Sequence, residues 1–256
     1  MSKIYEPQGK AREYSPLALN YITGCDHGCL YCYVPNILGR FNSKYVHNDV
    51  MINVDYDAIK MDAEKLRGVN KQILLSFTTD PYSKQIIHET RKVLEILNFY
   101  GHKVAILTKG GKRCLMDIEV FKQFGNRIKI GASITFDNEK DSREWERGAA
   151  LPNERIETLR TLHEAGIKTW ISFEPVIIPE QSLNLMKQTT FVDHVKVGKL
   201  NNYKGLDKKI DWKDFLIKAV DYLRSVNQQF YIKKDLALFY PEYLKPNEVN
   251  ENVLFL

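Results

Sequence analysis

The chain has 256 residues, of which 44% are hydrophobic and 27% charged, a composition typical of a globular protein with a sizeable core. It has no apolar run of the roughly 18 residues that a membrane helix needs, and residues 1–16 lack the apolar centre of a signal peptide. These features argue against a membrane or secreted protein and predict a cytoplasmic one with reduced thiols. The net charge of +5 permits a polyanionic partner without requiring one.

Short β-rich runs alternate with amphipathic segments along the chain, which is the pattern of β-α-β repetition. Seven runs are predicted as buried parallel strands: residues 17–23, 72–77, 104–108, 128–135, 169–173, 194–198 and 230–232. Three of the intervening helices have recognisable ends. One is predicted from Ser83 to Gly101, one covers residues 152–165 before Gly166, and one begins at Asp211.

The repetition predicts an α/β fold in which right-handed crossovers place helices outside a curved sheet. Six β-α units would form an incomplete barrel, and a doubly wound open sheet is the competing architecture. We expect one domain, with an N-terminal extension at residues 1–16, a partial barrel at residues 17–235 and a C-terminal tail at residues 236–256. In either architecture, functional side chains follow the carboxyl ends of the strands.

Three cysteines follow the first predicted strand with the spacing C-x3-C-x2-C: Cys25, Cys29 and Cys32. The fourth cysteine, Cys114, is far away in sequence and follows a different strand. Thiols this close together in a reduced chain indicate a metal centre rather than disulfides.

Three kinds of metal centre fit these cysteines. A structural zinc site needs a fourth ligand, either His27 or His47, although His27 lies between two of the cysteines and cannot easily turn toward the same ion. A ferredoxin-type cluster needs a fourth cysteine nearby. A cubane 4Fe-4S cluster held by three thiolates would leave one iron open, and an open iron is a reactive site.

The C-x3-C-x-aromatic-C arrangement after a first strand resembles the signature of the radical S-adenosylmethionine (SAM) superfamily. The resemblance implies a partial (β/α)6 TIM-type barrel, a 4Fe-4S cluster held by the three cysteines, and SAM bound at the open iron with Tyr31 against its adenine. It also implies that one electron cleaves SAM to methionine and a 5′-deoxyadenosyl radical, which abstracts hydrogen from a substrate. An electron donor such as flavodoxin or ferredoxin is then expected.

Later strand ends carry polar residues that suit a zwitterionic, cationic cofactor. Thr79 and Asp80 follow the second predicted strand and suit an ammonium group, although Asp-Pro is also a common turn. Lys109 follows the third and could pair with a carboxylate, although most lysines are simply exposed. Ser133 and Thr135 on the fourth strand share one face.

The segments TTDPY, ILTKGG, ASITF and FEPVI resemble successive motifs of the spore photoproduct lyase-like group, whose members are often called DNA repair photolyases. The resemblance covers roughly residues 17–180 and implies a DNA or RNA base as substrate. It also implies which residues contact SAM: Thr79, Asp80, Lys109, Ser133 and Arg155.

The chain departs from this group at one position. In spore photoproduct lyases the second strand resembles Cys-Thr-Ser-Asp, and its cysteine returns a hydrogen atom to the product radical. This chain has Phe77 at the matching position, which cannot donate hydrogen in that way. Cys114 is a candidate donor if its loop folds over the site, although a lone cysteine is more often a small buried filler. The departure argues against repair of spore photoproduct itself.

Glu174 ends the fifth predicted strand and could bind substrate or ribose hydroxyls, or pair with lysines. A basic patch is predicted near the sixth strand from Lys196, Lys199, Lys204, Lys208 and Lys209, with Asn201 and Asn202. Such a patch, with nearby tyrosines, could bind nucleic acid. Three functions stay open: a radical enzyme acting on nucleic-acid bases, the same chemistry on a small molecule or peptide, and a non-catalytic, zinc-stabilised nucleic-acid-binding protein.

Overall fold

The computed structural model describes residues 3–40, 49–201, 203 and 205–254, except for the side chains of residues 37, 40, 253 and 254. The strands in this part of the chain are β1 (Ile4–Tyr5), β2 (Leu17–Leu19), β3 (Thr23–Gly24), β4 (Val50–Met51), β5 (Gln72–Leu75), β6 (Lys103–Thr108), β7 (Ile128–Ser133), β8 (Lys168–Val176), β9 (His194–Lys199) and β10 (Phe230–Ile232). The helices are α1 (Val34–Arg40), α2 (Tyr56–Lys65), α3 (Ile87–Phe99), α4 (Ile118–Phe124), α5 (Glu139–Trp145), α6 (Pro152–Glu164), α7 (Pro179–Gln188), α8 (Trp212–Ser225) and α9 (Lys234–Ala237).

Eight strands form one sheet in the order β1-β2-β5-β6-β7-β8-β9-β10, and β3 pairs with β4 in a separate two-stranded sheet. Only β1 is antiparallel to its neighbour; the other pairings in the large sheet are parallel. The mainly parallel α/β fold is therefore confirmed.

Contacts between the two ends of the sheet show that it curls. Glu13 precedes β2 near one end, yet its main-chain carbonyl accepts a hydrogen bond from Lys196 Nζ of β9 at 3.0 Å. Its carboxylate accepts another from the Tyr231 hydroxyl of β10 at 2.7 Å. No β1–β10 pairing occurs among the described residues. The result is an incomplete barrel, as predicted, whose gap is bridged by side chains.

Several predicted strands differ in their bounds: β5 ends at Leu75 rather than residue 77, β7 ends at Ser133 rather than residue 135, and β8 reaches Val176 rather than residue 173. Two elements differ more. The first strand, expected over residues 17–23, ends at Leu19 in the large sheet, and Thr23–Gly24 pairs with Val50–Met51 instead. The helix expected from Ser83 begins at Ile87. Its predicted first turn is diverted because the Asp80 carboxylate accepts the Tyr82 amide at 2.9 Å and the Asp80 carbonyl accepts the Ser83 amide at 3.0 Å. The helices at residues 152–164 and after Asp211 agree closely with the predictions.

The two faces of the sheet differ in chemistry. The outer face is apolar and fully buried under the helices, as at Ile73, Val104 and Ile171. The inner face carries Trp170, whose indole donates to the Ile106 carbonyl at 3.0 Å and lies where a side chain at position 131 would be. Glycine is therefore required at position 131. None of the described helices is both long and apolar enough to span a bilayer.

Candidate active site at the carboxyl edge of the sheet

The cysteine loop, residues 25–33, leaves β3 at the carboxyl edge of the sheet and leads into α1. Gly24, the last residue of β3, precedes the loop and has a φ of +103°. A Cβ at this position would overlap the main chain of Asp49. Main-chain hydrogen bonds dock the loop: Gly24 N to Thr78 O at 3.1 Å, Leu30 N to Trp145 O at 2.9 Å, and Gly148 N to His27 O at 2.8 Å. The loop is thus held by two later segments of the chain.

The three cysteines all carry free thiols, with Cys29 buried and Cys25 and Cys32 half-buried. Burial raises the pKa of Cys25 to about 12, and Cys29 contributes to the same shift. Burial likewise raises the pKa of Cys29 to about 12, with a contribution from Cys32. Each thiol therefore lies within electrostatic range of the next. Such buried thiols need a cationic centre to become thiolates.

His27 has both ring nitrogens engaged by protein groups. Its Nδ1 lies 3.4 Å from Asp80 Oδ2, and its Nε2 lies 2.9 Å from Arg113 Nη2. The ligand atoms of Cys25, Asp26 and His27 do lie within 4.8 Å of one another, so His27 is closer to a cysteine than its place in the sequence suggested. Its nitrogens are nevertheless occupied, which disfavours it as a zinc ligand. The other candidate, His47, is outside the described residues.

Asp80 and Thr79 differ in how far protein groups satisfy their side-chain oxygens. The Asp80 carboxylate accepts from Tyr82 N at 2.9 Å, Thr108 Oγ1 at 2.5 Å and Lys109 N at 2.7 Å. Burial by itself raises the pKa of Asp80, but His27 and these donors lower it below its ordinary value. Thr79 Oγ1, by contrast, is buried without a partner among the described residues. Asp80 is saturated by the protein, whereas Thr79 retains an unused hydroxyl.

Glu146 connects Tyr31 to Arg155 in a buried network. One carboxylate oxygen accepts the Tyr31 hydroxyl, and the other accepts Arg155 Nη2 at 2.6 Å. Burial raises the pKa of Glu146, but Arg155 and Lys109 outweigh it and lower the value. Arg155 also donates to the carbonyls of Ala150 at 2.7 Å and of Ser133 at 2.8 Å. Its guanidinium is therefore committed to the protein.

The Lys109 ammonium lies 5.5 Å from the centroid of the Tyr31 ring. Burial lowers the pKa of Lys109, but Cys29 and Glu146 overcome this and raise it. No hydrogen bond or ion pair from its Nζ is found in the described part of the chain. The structure therefore brings Lys109, Tyr31 and the cysteine loop together, with Ser133 buried at the end of β7 below them.

Glu174 faces the inside of the barrel at the end of β8. Its Oε1 accepts Lys233 Nζ at 2.7 Å, and its Oε2 accepts the Tyr14 hydroxyl. A Cβ at Gly198 would lie 2.8 Å from the Cδ atoms of both Glu174 and Lys233, so glycine lets this pair meet across β9. Of the two alternatives for Glu174, the structure has it in a lysine pair.

Cys114 is 1% exposed and packs with outer-face residues such as Ile106 and Ile130. Side chains alternate along a strand, so the inner face that carries Glu174 is on the opposite side of the sheet. The structure does not bring Cys114 to that face. Its surroundings are those of a buried filler.

The predicted basic patch needs correction. Lys196 is fully buried inside the barrel, because it alternates with the outward-facing Val195 and Val197 on β9. Lys199 is partly covered and lies 5.4 Å from the Trp212 ring centroid, whereas Lys208 and Lys209 are exposed. Asn201 donates to the Lys199 carbonyl at 3.1 Å and to the Asp235 carboxylate at 2.7 Å. The remaining two members, Asn202 and Lys204, lie outside the described residues.

Sequence reasoning missed several polar residues that shape this site: Glu13, Tyr14, Glu146, Arg113 and Lys233. Most pair with residues far along the chain, and separations such as the 86 residues between His27 and Arg113 leave no local pattern. Glu146 did carry a signal, since it precedes a proline-started helix and follows the aromatic Trp145.

Comparison with known proteins gives the family. The family model that describes the radical SAM superfamily matches residues 19–190, which is more than half of the chain. The chain belongs to the radical SAM superfamily. Membership of this superfamily implies an enzyme that uses SAM and an iron–sulfur cluster.

Individual proteins similar to this chain add detail. Protein ORF301 of Acidianus two-tailed virus is 32% identical over 174 residues, covering 64% of this chain and 57% of ORF301. Spore photoproduct lyase complexed with dinucleoside spore photoproduct superposes with a TM-score of 0.67 at 14% identity, covering 89% of this chain and 78% of that one. Streptococcus suis SuiB bound to S-adenosylmethionine gives a TM-score of 0.61 at 18% identity, covering 90% and 55%. At these identities the two structures share the fold.

Proposed function

We propose that this protein is a radical SAM enzyme in which Cys25, Cys29 and Cys32 hold a 4Fe-4S cluster with one open iron. The observation that carries the proposal is the placement of three free thiols, each within electrostatic range of the next, in one loop at the carboxyl edge of a parallel sheet. This is the edge at which α/β folds bind ligands. A zinc site is less well supported because both nitrogens of His27 are occupied.

The side chains around the loop fit SAM. Thr79 Oγ1 is a buried hydroxyl without a partner among the described residues, which suits a polar group of the cofactor. Lys109 Nζ carries a positive charge, has no acceptor in the part of the chain that the structure describes, and suits the methionyl carboxylate. The Tyr31 ring is held by Glu146 and offers a surface for adenine. Ser133 is proposed as a further contact.

Two residues expected to contact SAM are assigned supporting positions instead. Asp80 already accepts three hydrogen bonds from the protein, and it holds the ends of β5 and β6 together. Arg155 directs its donors to Ala150, Ser133 and Glu146. Both therefore act by fixing the groups that surround the cofactor.

When bound, the cluster and SAM supply a 5′-deoxyadenosyl radical that abstracts hydrogen from the substrate. The protein residues orient the cofactor and exclude water from it. We propose a nucleic-acid base as the substrate, supported by the shared fold with spore photoproduct lyase and by the exposed lysines Lys208 and Lys209 near the carboxyl edge. A small flavodoxin-like or ferredoxin-like protein is the proposed electron donor.

Anaerobic reconstitution with iron and sulfide tests the cluster. Wild-type protein should bind about four irons and release 5′-deoxyadenosine from SAM under a strong reductant. Cys29→Ala should lose both properties, whereas the matched variant Cys114→Ala, which removes a buried cysteine outside the loop, should retain them. Stoichiometric zinc with no SAM cleavage would instead support a structural metal site.

Addition of candidate substrates tests the substrate class. Single-stranded DNA or tRNA should raise the rate of 5′-deoxyadenosine formation and bind with an affinity that falls steeply with salt. A short peptide and free nucleosides serve as comparisons. Stimulation by the peptide or a nucleoside, without any effect of a polymer, would move the substrate to the small-molecule or peptide class.

A further inference from the structure

His27 is clamped between two segments that lie far from it in sequence. It is 2% exposed, with Asp80 on its Nδ1 side at 3.4 Å and Arg113 on its Nε2 side at 2.9 Å. Its own main-chain carbonyl accepts the Gly148 amide at 2.8 Å. An imidazole buried in the middle of a metal-binding loop, with each nitrogen facing a protein partner, is fixed in position and orientation.

The partners of His27 are themselves tied to the strand ends. Arg113 Nε donates to the Tyr82 carbonyl at 2.7 Å, in the segment that follows β5. Asp80 accepts the Thr108 hydroxyl at 2.5 Å and the Lys109 amide at 2.7 Å, both at the end of β6. A continuous path of contacts therefore joins the cysteine loop to the strand ends that carry Thr79 and Lys109.

The neighbouring residue anchors the loop to the same segment. Asp26 Oδ2 accepts the Lys84 amide at 2.8 Å, so two successive residues of the loop, Asp26 and His27, bind the stretch between β5 and α3. Between β3 and α1 the main chain of the loop makes one turn, Cys32 N to Cys29 O at 3.1 Å, and an antiparallel bridge between Cys29 and Glu146. That bridge leads to the segment after α5, and the side chains of Asp26 and His27 add ties to the stretch after β5.

We propose that His27 is a positioning residue that, with Arg113 and Asp80, sets the distance between the cysteine loop and the SAM-binding strand ends. This inference rests on the proposed function. Without the clamp the cysteines still collect iron, because none of the three is removed. The three thiols then no longer lie in fixed register with Thr79 and Lys109, so SAM would bind more weakly.

The test compares two buried histidines. His27→Phe removes both ring nitrogens and keeps a flat ring. His102→Phe is the matched control, since His102 is also 2% exposed and its Nε2 donates one hydrogen bond to the Ala63 carbonyl at 2.8 Å, away from the site. After reconstitution, iron content, the dissociation constant for SAM and the electron paramagnetic resonance spectrum with and without SAM are measured. Hydrogen exchange of the amides of residues 24–33 is measured without cofactors.

His27→Phe should keep wild-type iron content, weaken SAM binding about tenfold or more, diminish the spectral change that SAM produces, and speed exchange in the loop. His102→Phe should bind SAM as the wild type does. Arg113→Met gives a second route, because it removes the donor to His27 from outside the loop and should weaken SAM binding in the same direction.

Equal SAM affinity in His27→Phe, His102→Phe and the wild type would overturn the proposal. So would global unfolding of both His27→Phe and Arg113→Met, since these residues would then support the whole fold rather than the loop. If the wild-type protein itself takes up no iron, the proposed function fails. The exchange measurement then still decides whether His27 and Arg113 hold the loop.

Discussion

The two faces of the central sheet are stabilised in different ways. The outer face is built from aliphatic side chains such as Ile73, Val104 and Ile171, which pack against helices and are fully buried. The inner face holds charged and aromatic groups, among them Lys196, Lys233 and Tyr14. Apolar packing has no direction and is shared among many neighbours, whereas each polar contact on the inner face depends on one donor and one acceptor.

A single substitution should therefore have different consequences on the two faces. A shortened aliphatic side chain on the outer face loses dispersion contacts, and its neighbours relax partly into the space. A removed partner on the inner face leaves a charge buried and unpaired. The inner face and the carboxyl edge are therefore the less tolerant region, and they are also where the candidate active site lies.

The largest effect is expected from breaking the Lys233–Glu174 pair with Lys233→Met. The pair is 2.7 Å long, with side chains only 2% and 14% exposed. Removal of the ammonium leaves the Glu174 carboxylate with the Tyr14 hydroxyl as its remaining hydrogen-bond partner among the described residues. We expect a loss of about 3–5 kcal/mol in the free energy of unfolding. Urea denaturation of the apo protein measures it.

Lys218→Met is the matched control, because Lys218 and Asp214 form a pair of similar length, 2.6 Å, with both side chains more than half exposed. Its unfolding midpoint should stay close to that of the wild type. The double variant Lys233→Met with Glu174→Gln should recover part of the stability, since the carboxylate is then neutralised. Equal effects of Lys233→Met and Lys218→Met would show that the inner face does not depend on paired charges.

Sequence predicted the outer face better than the inner one. The runs at residues 72–77, 104–108 and 169–173 are apolar because alternate residues meet the helices and the others meet the barrel interior, so both faces exclude water. Strand positions were therefore readable. Lys196 was misassigned to a surface patch, although its place between Val195 and Val197 carried a period-two signal of inward orientation.

The candidate site was predictable in parts. The spacing of Cys25, Cys29 and Cys32 is local and was readable without a structure. The hydrogen-bonding states of the residues around these cysteines were not readable from the sequence. Whether Asp80 has lone pairs left for a ligand depends on donors at Thr108 and Lys109, 28 and 29 residues away. The satisfaction of a buried polar group is a tertiary property that composition and spacing do not contain.

Lys129 is a buried lysine on the inner face that has no acidic partner among the residues that the structure describes. Its ammonium lies 5.3 Å from the Trp170 ring centroid, and burial lowers its pKa to about 7. The unfolded value is about 10.4. Between these values the unfolded chain binds more protons than the folded one, so stability contributed at this site rises with pH.

In the wild-type protein, Lys129 should raise the free energy of unfolding by roughly 2 kcal/mol as the pH rises from about 7.5 to 9. Lys129→Met should flatten this rise in urea midpoints, whereas Lys187→Met, at an exposed position on α7, should leave it intact. The same slope in Lys129→Met and in the wild type would show that Lys129 stays protonated in the folded state and reaches solvent.

The smallest effect is expected on the outer face from Ile171→Val. Ile171 is fully buried on β8, and valine keeps the branched Cβ that suits a strand while removing one methylene. We expect the free energy of unfolding to fall by about 0.5–1.5 kcal/mol, because the neighbouring aliphatic side chains share the lost contacts and no buried polar group loses its partner. Iron uptake and SAM cleavage should not change. Ile52→Val, at a position that is 49% exposed, is the control and should change neither the free energy of unfolding nor the iron uptake and SAM cleavage. A loss from Ile171→Val as large as that from Lys233→Met would mean that the outer face is as intolerant as the inner one.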